Sequence, residues 1–150
     1  MSSARLQVSD GVAALALRRQ ELERRARELR DEREAMLAAL AGTAPATAEQ
    51  HRRWVALCQA RQVVELELEL DTMTAEYLEV ARRSDALRSA TAPAWIQREG
   101  RVERWEARRR RDVADLQYRM SSLAERGAAR RAELAELLKL VTCTEGVACA

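Results

Sequence analysis

Residues 54–87, WVALCQARQVVELELELDTMTAEYLEVARRSDAL, carry two apolar stripes at helical spacing on one uninterrupted stretch. Val63, Leu66, Leu70, Met73, Tyr77, Val80 and Leu87 form one stripe, and Trp54, Leu57, Val64, Leu68, Ala75 and Leu78 form the other. One stripe buries against one neighbour, so two stripes call for two. Inside the stretch, VVELELELD alternates with period two as a strand would. Glutamate and leucine favour helix, however, and both flanks keep helical spacing, so the reading is helix throughout.

The signals at either end fix its length. Thr47 followed three residues later by Gln50 is a reciprocal capping box, in which each side chain satisfies a backbone N–H that the first turn leaves unpaired. Downstream, TAPAW (91–95) places Pro93 where it disfavours a helical Ala92 and suits the opening of a new helix, which predicts a break there. The helix is therefore expected over about 48–90.

Upstream, Val8, Val12, Leu15, Leu22, Ala26, Leu29, Met36 and Leu40 alternate in threes and fours, with Arg19 and Arg33 in the two intervening seam positions. This helix should start near Ser9, or nearer Ser3 if Gly11 is accommodated, and end at Gly42 and Pro45. A third helix, about 93–141, carries Trp95, Val102 and Trp105 and then, after a phase shift across EARRRRD, Val113, Leu116, Met120, Leu123, Leu134, Leu137 and Val141. The expected fold is all-α: an elongated antiparallel coiled coil of three long helices (about 9–41, 48–90 and 93–141) in one domain over 1–141, with a flexible tail over 142–150.

Composition agrees. Five glycines and two prolines in 150 residues leave few places to turn, and 47% hydrophobic residues with 33% charged and no Phe suit long helices with narrow seams. A net charge of +2 gives too weak a summed field to point to nucleic acid or an anionic membrane. No apolar run approaches the ~20 residues of a transmembrane helix, and the N-terminus lacks the pattern of an export signal, so neither membrane insertion nor export is expected. Cys58, Cys143 and Cys149 are too few and too scattered for a secreted disulfide framework, which favours a cytoplasmic location with reduced thiols.

Candidate chemistry is sparse. His51 is the only histidine and has no Cys or second His at helical spacing, so it reads as a surface or cap residue. Acidic residues recur near arginines, as Glu21 does with Arg24 and Arg25 at three- and four-residue spacing and Glu103 does with Arg104 next to it and Arg108 five residues on, which is the pattern of a solvated helix face. Nucleotide-binding, nucleophile-elbow and zinc-protease motifs do not occur, and no enzyme activity, cofactor or metal is expected. Trp54, Trp95 and Trp105 are phased into the helical seams. Arg108–Arg111 is the densest basic run and suits carboxylates or phosphates, although four consecutive residues point around the whole helix, as on a solvated stretch.

Two stretches carry a resemblance. VAALALRRQELERRARELRDEREAMLAAL (12–40) resembles the N-terminal helix of FliJ/YscO-type proteins, which serve flagellar and type III secretion export ATPases, and WEARRRRDVADLQYRMSSLAERGAARRAEL (105–134) is similar to their Arg-rich C-terminal helix. The resemblance implies a bacterial cytoplasmic coiled-coil stalk that inserts into a hexameric export ATPase, contacts the export gate or escorts chaperones. On these stretches Arg18, Arg19, Trp105, Arg108, Arg109, Arg110 and Arg111 become candidate partner-binding residues. A self-associating scaffold is the alternative reading, because the broad apolar face of the second helix can take a second chain.

Overall fold

The computed structural model describes residues 3–41 and 47–144. They form four helices, α1 (Ser3–Leu40), α2 (Ala48–Ser89), α3 (Ala94–Arg98) and α4 (Val102–Thr144), with no strand among them. The fold is all-α, and the period-two stretch VVELELELD is helical as expected. Gly11 is accommodated inside α1, so that helix takes the earlier of its two expected starts. The capping box at the head of α2 is formed: Gln50 Oε1 accepts from the Thr47 N–H at 2.8 Å, and Thr47 Oγ1 accepts from the Gln50 N–H at 3.2 Å. The expected break at Gly42–Ala46 lies outside the described residues, as do residues 145–150 of the expected tail; residues 142–144 continue α4.

The third helix differs from expectation. It is not one element over 93–141 but the five-residue α3 followed by α4. Gly100, at φ 67°, ends α3: its N–H donates to Gln97 O, and the Arg101 N–H donates to Ile96 O, the paired bonds that satisfy a helix's last carbonyls when a left-handed residue follows it. The α4 ladder then begins at once, with the Trp105 N–H donating to Arg101 O at 3.1 Å. Apolar spacing runs through Trp95, Val102 and Trp105, and hides this break.

The described residues divide into two compact units, at Asp71/Thr72 and at Ala129/Arg130. In the unit that holds α1, Leu29, Leu57 and Val64 are the buried centre, with Leu22, Ala26, Met36, Ala60 and Leu68 packed around them. All but Ala60 belong to the expected seam of the first helix or the second stripe of α2. Each large aliphatic side chain removed from water there contributes roughly 1.5–3 kcal/mol. The pairing is antiparallel, because Arg33 near the end of α1 stacks on Trp54 near the start of α2 (5.7 Å to the ring centroid), while Arg18 meets Asp71. The C-terminal part of α4 lies along the other side of α2, where Arg130 Nε is 3.0 Å from Glu69 Oε1 and Leu137 faces a shallow groove with Leu66.

In the other unit α2 and α4 form an antiparallel hairpin turned by residues 90–101. Met73, Val80 and Ser84 of α2, Ala92, Ile96 of α3 and Leu123 of α4 are buried there. Arg119 pairs with Glu76 across the hairpin. In this unit the first stripe of α2 is covered except at Tyr77, which is 36% exposed; Ala75 and Leu78, which continue the second, are exposed, Leu78 at 47%.

The two described glycines with open space around a would-be Cβ give substitutions of opposite sign. Gly11→Ala removes a flexible residue from a helix interior and is expected to raise the unfolding free energy by about 0.5–1 kcal/mol. Gly100→Ala forces a Cβ into left-handed geometry and is expected to lower it by about 1–2 kcal/mol. Urea titrations of the two variants read both.

Candidate partner-binding surface

The arginines proposed to meet a partner have different fates in the fold. Arg19, on α1, is exposed and pairs with Glu23 one turn on (3.1 Å). Arg18 Nε lies 3.2 Å from Asp71 Oδ2, with Arg18 59% exposed but the Asp71 side chain only 11% exposed. That oxygen accepts no hydrogen bond from any described residue, so the contact is a charge pair without a well-aimed donor. Asp71 falls on the α1-facing stripe of α2, between Leu68 and Ala75, and Arg18 supplies the opposite charge such a position needs.

Arg109 is internal to the fold. Its Nη1 donates to Leu87 O (3.1 Å) and Arg88 O (2.8 Å), its Nε and Nη2 bond Glu106 Oε2, and its guanidinium lies 5.7 Å from the Trp105 ring centroid. Leu87 and Arg88 are in the last turn of α2, whose carbonyls have no partner within the helix. Ser89 Oγ bonds Asp85 O and Ala86 O just before them. A serine of α2 and an arginine of α4 thus close the end of α2, and the guanidinium also meets the negative end of its dipole. Trp105 is half-buried, and Arg109 and Glu106 are only 22% and 33% exposed.

Arg108, Arg110 and Arg111 are exposed, with no ion-pair partner among the described residues. The run of four is therefore one structural arginine and three solvent-facing ones. Trp54 is half-buried against Arg33, in keeping with its seam phase, whereas Trp95 is 53% exposed on α3 and corrects the expectation that all three tryptophans serve the seams. Of the expected acid–arginine pairs, Glu21–Arg24 forms, while Arg25 pairs with Glu28 and Glu103 pairs with neither Arg104 nor Arg108. A hydrogen bond from Arg24 holds the Glu21 carboxyl below its ordinary range, and one from Arg82 does the same for Glu79. These exposed pairs form above that range and are lost as pH falls through the lowered values.

A local charge excess escapes the whole-chain balance. Residues 82–111 hold ten arginines against four acidic residues, in a chain whose net charge is only +2. Residues 62–81 hold six acidic residues and no basic one. The acidic run is largely matched inside the fold: Arg61 meets Glu65, Arg130 meets Glu69, Arg18 meets Asp71 and Arg119 meets Glu76. Six of the ten arginines, Arg88, Arg98, Arg104, Arg108, Arg110 and Arg111, face solvent unpaired among the described residues. A windowed charge count would have revealed this.

Among the described residues no group of three or more His, Cys, Asp or Glu could hold a metal ion, His51 is exposed, Cys58 is a half-buried free thiol, and no helix is long and apolar enough to cross a membrane. No protein-family model, curated protein or solved structure matches the chain.

Arg109→Ala is expected to lower the unfolding free energy by about 1–3 kcal/mol, since it strips charged hydrogen bonds from the end of α2. Arg108→Ala and Arg110→Ala should stay within about 0.5 kcal/mol of the parent protein. Thermal unfolding followed by circular dichroism separates the two cases.

Proposed function

We propose that this chain is a non-enzymatic coiled-coil component of a bacterial type III secretion or flagellar export apparatus, acting in the cytoplasm as a central stalk of the export ATPase or as a chaperone escort. The observation that carries the reading is the pairing of long helices in which the two family-like stretches, 12–40 and 105–134, fall on α1 and α4. Such a protein works by presenting side chains on stiff helices, and the exposed, unpaired Arg108, Arg110 and Arg111 suit a protein surface that offers carboxylates. The chain is expected to co-migrate with its cognate hexameric export ATPase in gel filtration and to raise its ATP turnover several-fold. A chain that does neither is not the ATPase's stalk.

Self-association is the second reading, favoured by large apolar side chains left in water: Leu17 at 67%, Leu140 at 57% and Tyr118 at 79% exposure. Sedimentation equilibrium over a hundredfold concentration range should then show a mass that rises toward a dimer. A constant mass of 16.9 kDa removes this reading.

A further inference from the structure

Arg104, Arg108 and Arg111 are spaced by four and three residues, and the same spacing continues through Asp115 to Tyr118. Residues so spaced share one face of a helix. All five are exposed, and none of the four charged groups has an ion-pair partner among the described residues. All five lie within the hairpin unit, so the stripe is a property of that unit alone. Its spacing is that of a helix seam, yet its contents are three guanidinium groups, a carboxylate and an aromatic ring.

We propose that this stripe of α4 docks an acidic helix of a partner protein, with carboxylates opposite Arg104, Arg108 and Arg111, a basic residue opposite Asp115, and apolar side chains against Tyr118. Charge complementarity selects the occupant. Three unpaired cations at helix-seam spacing match a partner helix whose acidic residues recur in the same threes and fours. A continuous polyanion fits less well, because Glu103, Asp112 and Asp115 lie beside or within the stripe and would face its phosphates. A bilayer would need more than one exposed aromatic ring on the face that meets it. Arginine and tyrosine are also the side chains enriched where protein partners bind. The inference relies on the chain being a protein-interaction module, but not on the partner being an export ATPase.

The test uses the full chain and a fluorescein-labelled helical peptide of about three heptads, with glutamates in the matching threes and fours and one lysine placed to meet Asp115. A scrambled peptide of the same composition, a single-stranded oligonucleotide and phosphatidylcholine–phosphatidylserine vesicles serve as the other probes. Fluorescence anisotropy should show the patterned peptide binding about tenfold more tightly than the scrambled one. Arg104→Glu, Arg108→Glu and Arg111→Glu together should abolish that binding, and a peptide with lysines in place of its glutamates should restore it. The same reversal at exposed Arg27, Arg30 and Arg131 should change nothing, and circular dichroism should find both triple variants as helical as the parent. No peptide binding, equal binding of the two peptides, or equal loss in the control variant overturns the proposal. Tighter binding of the oligonucleotide or the vesicles, abolished by the stripe variant, overturns it in favour of a phosphate-bearing partner. If the peptide binds as expected but the chain leaves the export ATPase unstimulated, the export reading fails and this one stands.

Discussion

The fold depends on α2 having more apolar surface than one neighbour can cover. With a stripe on each side, α2 meets α1 through Leu57, Val64 and Leu68, and α4 through the stripe that includes Leu66. Apolar burial is non-directional and would tolerate several registers. Charge removes that freedom, since α2 carries six acidic residues and no basic one over 62–81, while arginines from its neighbours arrive opposite Glu69, Asp71 and Glu76. A shift by one turn would leave the partly buried Asp71 without its counter-charge, a far larger penalty than the gain from any one exposed pair.

Most of the helical content was legible because its signals are local. The Thr47–Gln50 box, the Pro93 break and the three-and-four seams each act through neighbouring residues, and each appears where expected. The α3–α4 break was missed because apolar spacing bridges it, although Gly100, the residue that makes it, was present to be read. Both expected stripes of α2 are covered where both neighbours are present, but Ala75, Tyr77 and Leu78 are exposed, because periodicity shows which residues could be buried and not how far a partner extends.

The candidate surface was less legible, for a different reason. Arg108, Arg109, Arg110 and Arg111 are identical letters, and only the end of α2 distinguishes Arg109 from the rest. Averaging charge over the chain likewise concealed that the acidic and basic stretches follow one another along it, the first matched partly by α2's own arginines and partly by those of neighbouring helices, and the second left largely to solvent. The pattern in Arg104, Arg108 and Arg111 lay in the sequence, but a run of adjacent arginines draws attention to itself more than a spaced one does.

The closure of α2 by Arg109 bears on the order in which the chain folds. The bond to Arg88 O spans 21 residues, as does the Arg33–Trp54 contact between α1 and α2, whereas the Arg18–Asp71 contact joins residues more than twice as far apart in sequence. Loop-closure entropy favours the nearer pairs, and topologies rich in short-range contacts form fastest. The α2–α4 corner is accordingly one of two places, with the α1–α2 end at Arg33 and Trp54, where native contacts form cheaply, and there the end of one helix is completed only when the next has turned back upon it. Such an arrangement ties the melting of α2 at that end to the opening of the hairpin, making the two a single cooperative step.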